Sequence, residues 1–142
     1  MKIVLLTIGK TNEQYLLDGV SKYEKRLKHS ATFEIIEISN IKKTKSISNI
    51  ELIKMEGKLV LNKLQSSDHL VLLDEKGSNF TSVKFSEKLN TWMLSGMKRL
   101  VFVVGGAYGF SDEVYKRGNE MISLSKMTFS HQMVRLFFVE QI

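Results

Sequence analysis

Apolar and polar positions fall along the chain in blocks whose period switches between that of a strand and that of a helix. Residues 2–8 (KIVLLTI) are apolar and β-branched and stop at Gly9. Thr11 and Gln14 have the spacing of a capping box, which predicts a helix from there to about Lys28. Residues 33–38 (FEIIEI) read as a second strand and residues 40–47 as a polar, basic loop. Ser48 and Glu51 make another capping box. The helix it opens carries Ile50, Ile53, Leu59, Leu61 and Leu64 as its apolar positions and runs to about Gln65. A third strand is expected at 69–73 (HLVLL), and a helix starting at Ser82 with Phe85, Leu89, Trp92 and Met93 inward, closed by Gly96. Residues 99–104 (RLVFVV) are almost wholly apolar, the mark of a central strand buried on both faces. Gly105, Gly106 and Gly109 mark the turn after it, and Ser111 caps a short helix. Residues 121–124 (MISL) form a short fifth strand, and a last helix begins near His131.

Strands alternating with helices in this way predict an α/β fold, a mostly parallel sheet sandwiched by helices, in one domain over residues 1–142. In such folds ligands sit beyond the carboxyl ends of the strands. The segments after Leu73, Val104 and Leu124 are therefore the ones to examine.

Composition narrows the chemistry. The chain has 142 residues and a formal charge of +6, with no cysteine and no proline. A thiolate nucleophile, a disulfide framework and cysteine-ligated zinc are excluded. His29, His69 and His131 are too scattered to suggest a metal site. No leader segment is recognisable and no apolar run approaches the length of a membrane span, so a cytoplasmic protein without membrane attachment is expected. Positive charge is dispersed, densest at Lys42, Lys43 and Lys45. That cluster reads either as a solvated loop or as a contact for a phosphate backbone.

Four motifs carry candidate chemistry. V-V-G-G-A-Y-G (103–109) follows a buried strand, and its glycines permit close backbone approach to a ligand. Its spacing is not that of a dinucleotide fingerprint, and a plain tight turn fits as well. S-L-S-K-M-T-F-S-H-Q (123–132) offers hydroxyls from Ser125, Thr128 and Ser130, suited to the edge of a neutral purine; Ser130 reads equally well as a helix cap. In L-L-D-E-K-G (72–77), Asp74 and Glu75 end a strand and are expected in an exposed turn. His131 and Arg135 share one face of the last helix. Arginine is scarce here, and one inside an apolar helix needs a carboxylate, a carbonyl or a phosphate. An ion pair between subunits is one answer. Met133, Val134, Leu136, Phe137, Phe138, Val139 and Ile142 make this helix apolar around most of its circumference, which suggests burial against a second subunit or deep in the core. The helical pattern carries no stop signal before Ile142, so a further C-terminal segment is expected.

The start MKIVLLTIGK, the middle VFVVGGAYGF and the end SLSKMTFSHQMVRLFFVEQI together resemble the RlmH (YbeA-like) family of SPOUT methyltransferases, over essentially the whole chain. The resemblance implies a C-terminal trefoil knot, an obligate homodimer, and methylation of ring nitrogen N3 of a pseudouridine in large-subunit ribosomal RNA. S-adenosylmethionine is the implied methyl donor, and the assembled ribosome the implied partner. By correspondence with the family's motifs, Leu73 closes the third strand against the donor, and Gly105 is the glycine whose backbone approaches it. Leu124, Ser125, Lys126, Met127, Thr128 and Phe129 form the loop that wraps it. His131 and Arg135 stand beside the target base. The chain departs from the family in having Ser130 where proline is usual, and in stopping at Ile142 where members typically continue with a tail that helps complete the active site. Two rivals remain: a non-catalytic RNA-binding, ribosome-associated module, and an enzyme acting on a free nucleotide-like metabolite.

Overall fold

A computed structural model describes residues 1–42 and 44–142. Its elements in chain order are β1 (Lys2–Ile8), α1 (Gln14–Leu27), β2 (Thr32–Ile38), α2 (Asn49–Asn62), β3 (His69–Asn79), α3 (Ser82–Leu94), β4 (Arg99–Val104), α4 (Asp112–Arg117), β5 (Glu120–Ser123) and α5 (His131–Gln141). The strands form one sheet in the order β2-β1-β4-β3-β5, and every neighbouring pair is parallel. The parallel α/β sandwich expected from the alternation is what the chain forms.

Residue parity explains the layers. Side chains of a strand alternate between faces. Ile3, Leu5, Val71, Leu73, Leu100, Phe102 and Val104 point to one face and pack with Val20 of α1, Phe85 and Trp92 of α3, and Phe138 and Val139 of α5. Val4, Leu6, Leu70, Leu72, Val101 and Val103 point to the other and pack with Val60 of α2 and Val114 of α4. The three central strands are thus apolar at both parities, which is why their sequences run without alternation. Each such side chain contributes about 1.5–3 kcal/mol on burial.

Several local expectations need correction. Thr11 does not cap α1: Glu13 is the N-cap residue, without a side-chain cap bond, and Thr11 Oγ1 accepts a hydrogen bond from Arg135. The inward face of α2 is Leu52, Glu56, Gly57 and Val60, whereas Ile50 is exposed. Met93 of α3 is also exposed; that helix starts at Ser82 as expected, with Thr81 as its cap. The caps at Ser48 and Ser111 form as expected, accepting from the backbone N–H of Glu51 and Val114. Gly96 takes the left-handed conformation after α3, with φ +80°. Of the basic cluster, Lys42 and Lys45 are exposed and Lys43 lies outside the described residues.

The largest difference is in β3. It continues past Leu73 to Asn79 through an irregularity, so that Ile122 of β5 pairs with both Leu73 and Ser78. Asp74, Glu75, Lys76 and Gly77 bulge out between those two pairings, where an exposed turn was expected. Gly77 permits this, since a Cβ there would lie 2.6 Å from the backbone of Met121 and Ile122. At the amino end of the strands Glu120 fastens β3, β5 and α3 together. Its carboxylate accepts from His69 Nε2 at 2.6 Å and from Trp92 Nε1 at 3.0 Å, and pairs with Lys88.

Gly77→Ala is expected to push β5 away from the bulge and destabilise the fold by about 2 kcal/mol. Urea unfolding checks this: the midpoint falls while the slope stays constant, and an unchanged midpoint contradicts the close approach.

Candidate functional site

Because all strands run the same way, the loops after β3, β4 and β5 emerge at one edge of the sheet. Between them lies a cavity of about 510 Å³, a size suited to a small organic ligand. Its floor is apolar, formed by the strand ends Leu73, Val104 and Ile122, all buried. Gly105, Leu124, Ser125, Met127, Thr128, Phe129 and His131 complete the lining from the residues singled out in the sequence. Lys126 and Arg135 do not line it.

Each wall has a local reason for its shape. After β4 the chain reverses through Gly106 and Gly109, which bridge one another; the Gly109 N–H donates to the Gly106 carbonyl at 3.2 Å. Gly109 has φ +87°, a conformation that L side chains rarely adopt. After β5 the Ser123 hydroxyl donates to the Ser125 carbonyl at 2.7 Å, and Ser125 Oγ accepts from the Met127 N–H at 3.0 Å. These two bonds fold residues 123–127 into a compact turn that leaves Met127 72% exposed at the rim. Phe129 is steadied by the ring of Phe137, 4.8 Å away between centroids. Ser130 caps α5, accepting from the Met133 N–H at 3.2 Å, so the cap reading of that hydroxyl holds.

The bulge of β3 supplies the third wall and the polar residues that the sequence reading expected in an exposed turn. Asp74, Glu75 and Lys76 all line the cavity. Asp74 accepts from the Tyr115 hydroxyl at 2.6 Å and from the Lys76 N–H at 2.8 Å. Burial first, then the hydrogen bond to Asp74, push the Tyr115 phenol well above its ordinary pKa, so it stays a protonated donor. Glu75 Oε2 accepts from the Thr128 hydroxyl at 3.0 Å, tying the β3 bulge to the loop after β5. An acidic pair directly after a buried parallel strand was the available signal for these residues. Glu56 gave no such signal: a carboxyl buried on α2 beneath Gly106 looks, in sequence, like any charged helix position.

The two polar residues of α5 part company. His131 lines the cavity, and burial, aided by the positive charge of Arg135, lowers its pKa below the ordinary 6.5. Its imidazole is therefore neutral at neutral pH. Arg135 is only 2% exposed and turns the other way. It donates to the carbonyls of Ile8 at 2.7 Å and Gly9 at 3.0 Å, and to Thr11 Oγ1 at 3.2 Å. Of the partners considered for this arginine, it takes backbone carbonyls within its own chain. The guanidinium locks α5 to the carboxyl end of β1, which fixes where His131 stands.

Among the described residues, no group of three or more His, Asp or Glu is placed to hold a metal ion, and no helix is long and apolar enough to cross a membrane. The profile of a family described as "Predicted SPOUT methyltransferase" matches residues 1–142. The chain is 54% identical over 142 residues to "Ribosomal RNA large subunit methyltransferase H" of Parabacteroides distasonis, covering 100% of this chain and 90% of the relative. A protein of the same name from Cytophaga hutchinsonii is 55% identical, with 100% of this chain and 91% of the relative covered. Another from Christiangramia forsetii is 52% identical, with 100% and 90% covered.

Two measurements test the α5 geometry. Arg135→Met strands two carbonyls and a hydroxyl and is expected to cost about 2–3 kcal/mol in urea unfolding, with Arg135→Lys recovering only part; a neutral Arg135→Met rejects the lock. His131 should titrate below 6.5 by NMR. Since its folded pKa is depressed, protonation favours the unfolded chain: the stability present above the unfolded value is lost as pH falls below it. His131→Gln should remove that acid-side loss.

Proposed function

From the premise that the chain belongs to the SPOUT methyltransferase family, we propose that it methylates ring nitrogen N3 of a pseudouridine in large-subunit ribosomal RNA, with S-adenosylmethionine as donor. The observation that carries this reading is the convergence of the Gly105 turn, the Ser125–Phe129 loop and the end of β3 on one cavity. An apolar floor of Leu73, Val104 and Ile122 suits the faces of an adenine. Around it, loop backbone and the hydroxyls of Ser125 and Thr128 suit a purine edge, and Asp74 and Glu75 bring negative charge to a cavity meant for a cationic donor. The residues present therefore fit S-adenosylmethionine, which supplies an electrophilic methyl group on a sulfonium.

The rest is positioning and proton handling by the chain itself. Leu73, Gly105 and the 124–129 loop hold the donor. Lys126 belongs to that loop through its backbone, and its exposed ammonium is free to meet an RNA phosphate. An imide nitrogen is a poor nucleophile until its proton leaves. Neutral His131, lining the same cavity, is the acceptor for that proton. Arg135 acts as a positioning residue, through the bonds that hold α5 on β1. The target base must be unstacked to reach the cavity.

The same reading takes residues 1–142 as one domain, its C-terminal part threaded as a trefoil, acting in the cytoplasm as a homodimer. Met133, Leu136 and Phe137 of α5 keep part of their surface uncovered, which supports a twin subunit against that helix.

Calorimetry and methyl incorporation test the proposal together. S-adenosylmethionine should bind with micromolar affinity, and label should enter ribosomal particles rather than small molecules. Absence of heat favours the RNA-binding module; label in free nucleotides favours the metabolite enzyme. His131→Ala should lower turnover by about 100-fold or more while leaving donor affinity nearly unchanged; full turnover rejects the base assignment. RNA affinity should fall about 100-fold between roughly 50 and 200 mM salt, through the dispersed lysines.

A further inference from the structure

The Gly105–Gly109 turn rests on a carboxyl group. Glu56 of α2 is 5% exposed. A Cβ placed on Gly106 would lie 2.9 Å from Glu56 Oε2 and 3.0 Å from Oε1, so the carboxyl occupies the space that any side chain at 106 would need. The next residue of α2 meets the other end of the same loop. A Cβ on Gly57 would lie 2.3 Å from Ser111 Oγ, the hydroxyl that caps α4. The helix thus abuts the loop at its beginning through Glu56 and at its end through Gly57.

A carboxyl is a costly choice for this position if its task is only to fill space. Glu56 Oε1 is buried and has no hydrogen-bond partner, and buried polar groups are paired in the great majority of cases. A leucine would fill a similar volume without that penalty. Burial pushes the Glu56 pKa up, which favours a protonated group able both to donate and to accept. The backbone pressed against this group is the glycine turn that forms one wall of the cavity.

We propose that Glu56 is a positioning residue for methyl transfer: its carboxyl, packed under Gly106 with Oε1 unpartnered in this state, takes up a hydrogen bond with the backbone of the Gly105–Gly109 turn when the methyl donor is bound and holds that turn in the shape that accepts it. The inference rests on reading the cavity as the donor site. Glu56 does not touch the donor; it acts through Gly106. Its neighbour Gly57 serves the same end by letting α2 close on Ser111.

The test is titration of S-adenosylmethionine into the wild-type chain, Glu56→Gln, Glu56→Leu and Gly106→Ala, each checked for fold by circular dichroism and melting. Glu56→Gln keeps shape and hydrogen bonding and should bind within about threefold of wild type. Glu56→Leu keeps bulk alone and should bind about tenfold more weakly or worse, with KM for the donor rising in step and kcat at saturating donor changing little. Gly106→Ala, whose methyl group displaces the carboxyl, should show the same loss. A Glu56→Leu chain that binds as tightly as wild type overturns the proposal. If Glu56→Leu does not fold, Gly106→Ala decides, and wild-type affinity there overturns it equally. No heat with the wild-type chain itself rejects the donor reading, and this inference with it; wild-type affinity in every variant rejects the inference alone.

Discussion

The sheet is parallel throughout, and that one constraint organises the molecule. A parallel neighbour cannot be reached by a hairpin, so each strand is followed by a crossover with a helix before the next. The helices cover both faces, and β1, β4 and β3 become apolar at nearly every buried position, Thr7 excepted. The same constraint collects the carboxyl ends of all five strands at one edge, with the loops after them. A cavity at that edge is then built from segments remote in sequence, the ends of β3, β4 and β5, without any one of them carrying a complete binding motif.

Rigid strand ends alone do not define a site; the loops must also be held. Four fastenings do this, and each joins a different pair of elements. Thr128 bonds Glu75 and so ties the β5 loop to the β3 bulge. Tyr115 bonds Asp74 and ties α4 to that bulge. Arg135 ties α5 to the end of β1. Glu56 and Gly57 seat the glycine turn and Ser111 on α2. Each of the four uses an acidic or basic side chain, Glu75, Asp74, Arg135 or Glu56, whereas the sheet interior behind them is largely apolar. Precision at the open edge comes from directional bonds, and cohesion behind it from burial.

What the sequence made legible follows from this division. Periodicity reports burial, so β1 and β4 were read at their observed limits, and the edge where the cavity lies follows from strand order alone. Directional bonds leave no period. The capping-box spacing at Thr11 was real, but its hydroxyl serves Arg135, a residue more than a hundred positions away. The scarcity of arginine showed that Arg135 needs a partner and could not show that the partner is the end of β1. On α2 the apolar count favoured Ile50, while the buried face is completed by a carboxyl and a glycine that no hydrophobic scale scores as inward. The bulge of β3 was hidden for the same reason. Asp74 and Glu75 have the composition of a turn, and only the pairing of Ile122 on both sides of it makes that segment part of a strand.

These hidden positions are the ones where local preference yields to the fold. Glu56 sits in an apolar layer, Arg135 is buried in an otherwise greasy helix, and Gly57 interrupts a helix where alanine would be favoured by about 1 kcal/mol. Helix preference and hydrophobic burial, taken locally, would favour an apolar residue or alanine at all three. All three instead meet the segments after β1 or β4, at the cavity edge of the sheet. Local inconsistency of this kind is expected where a structure gives up stability to hold a site in one geometry. The buried polar residues around this edge therefore hold the segments that border the cavity, although most of them never face it.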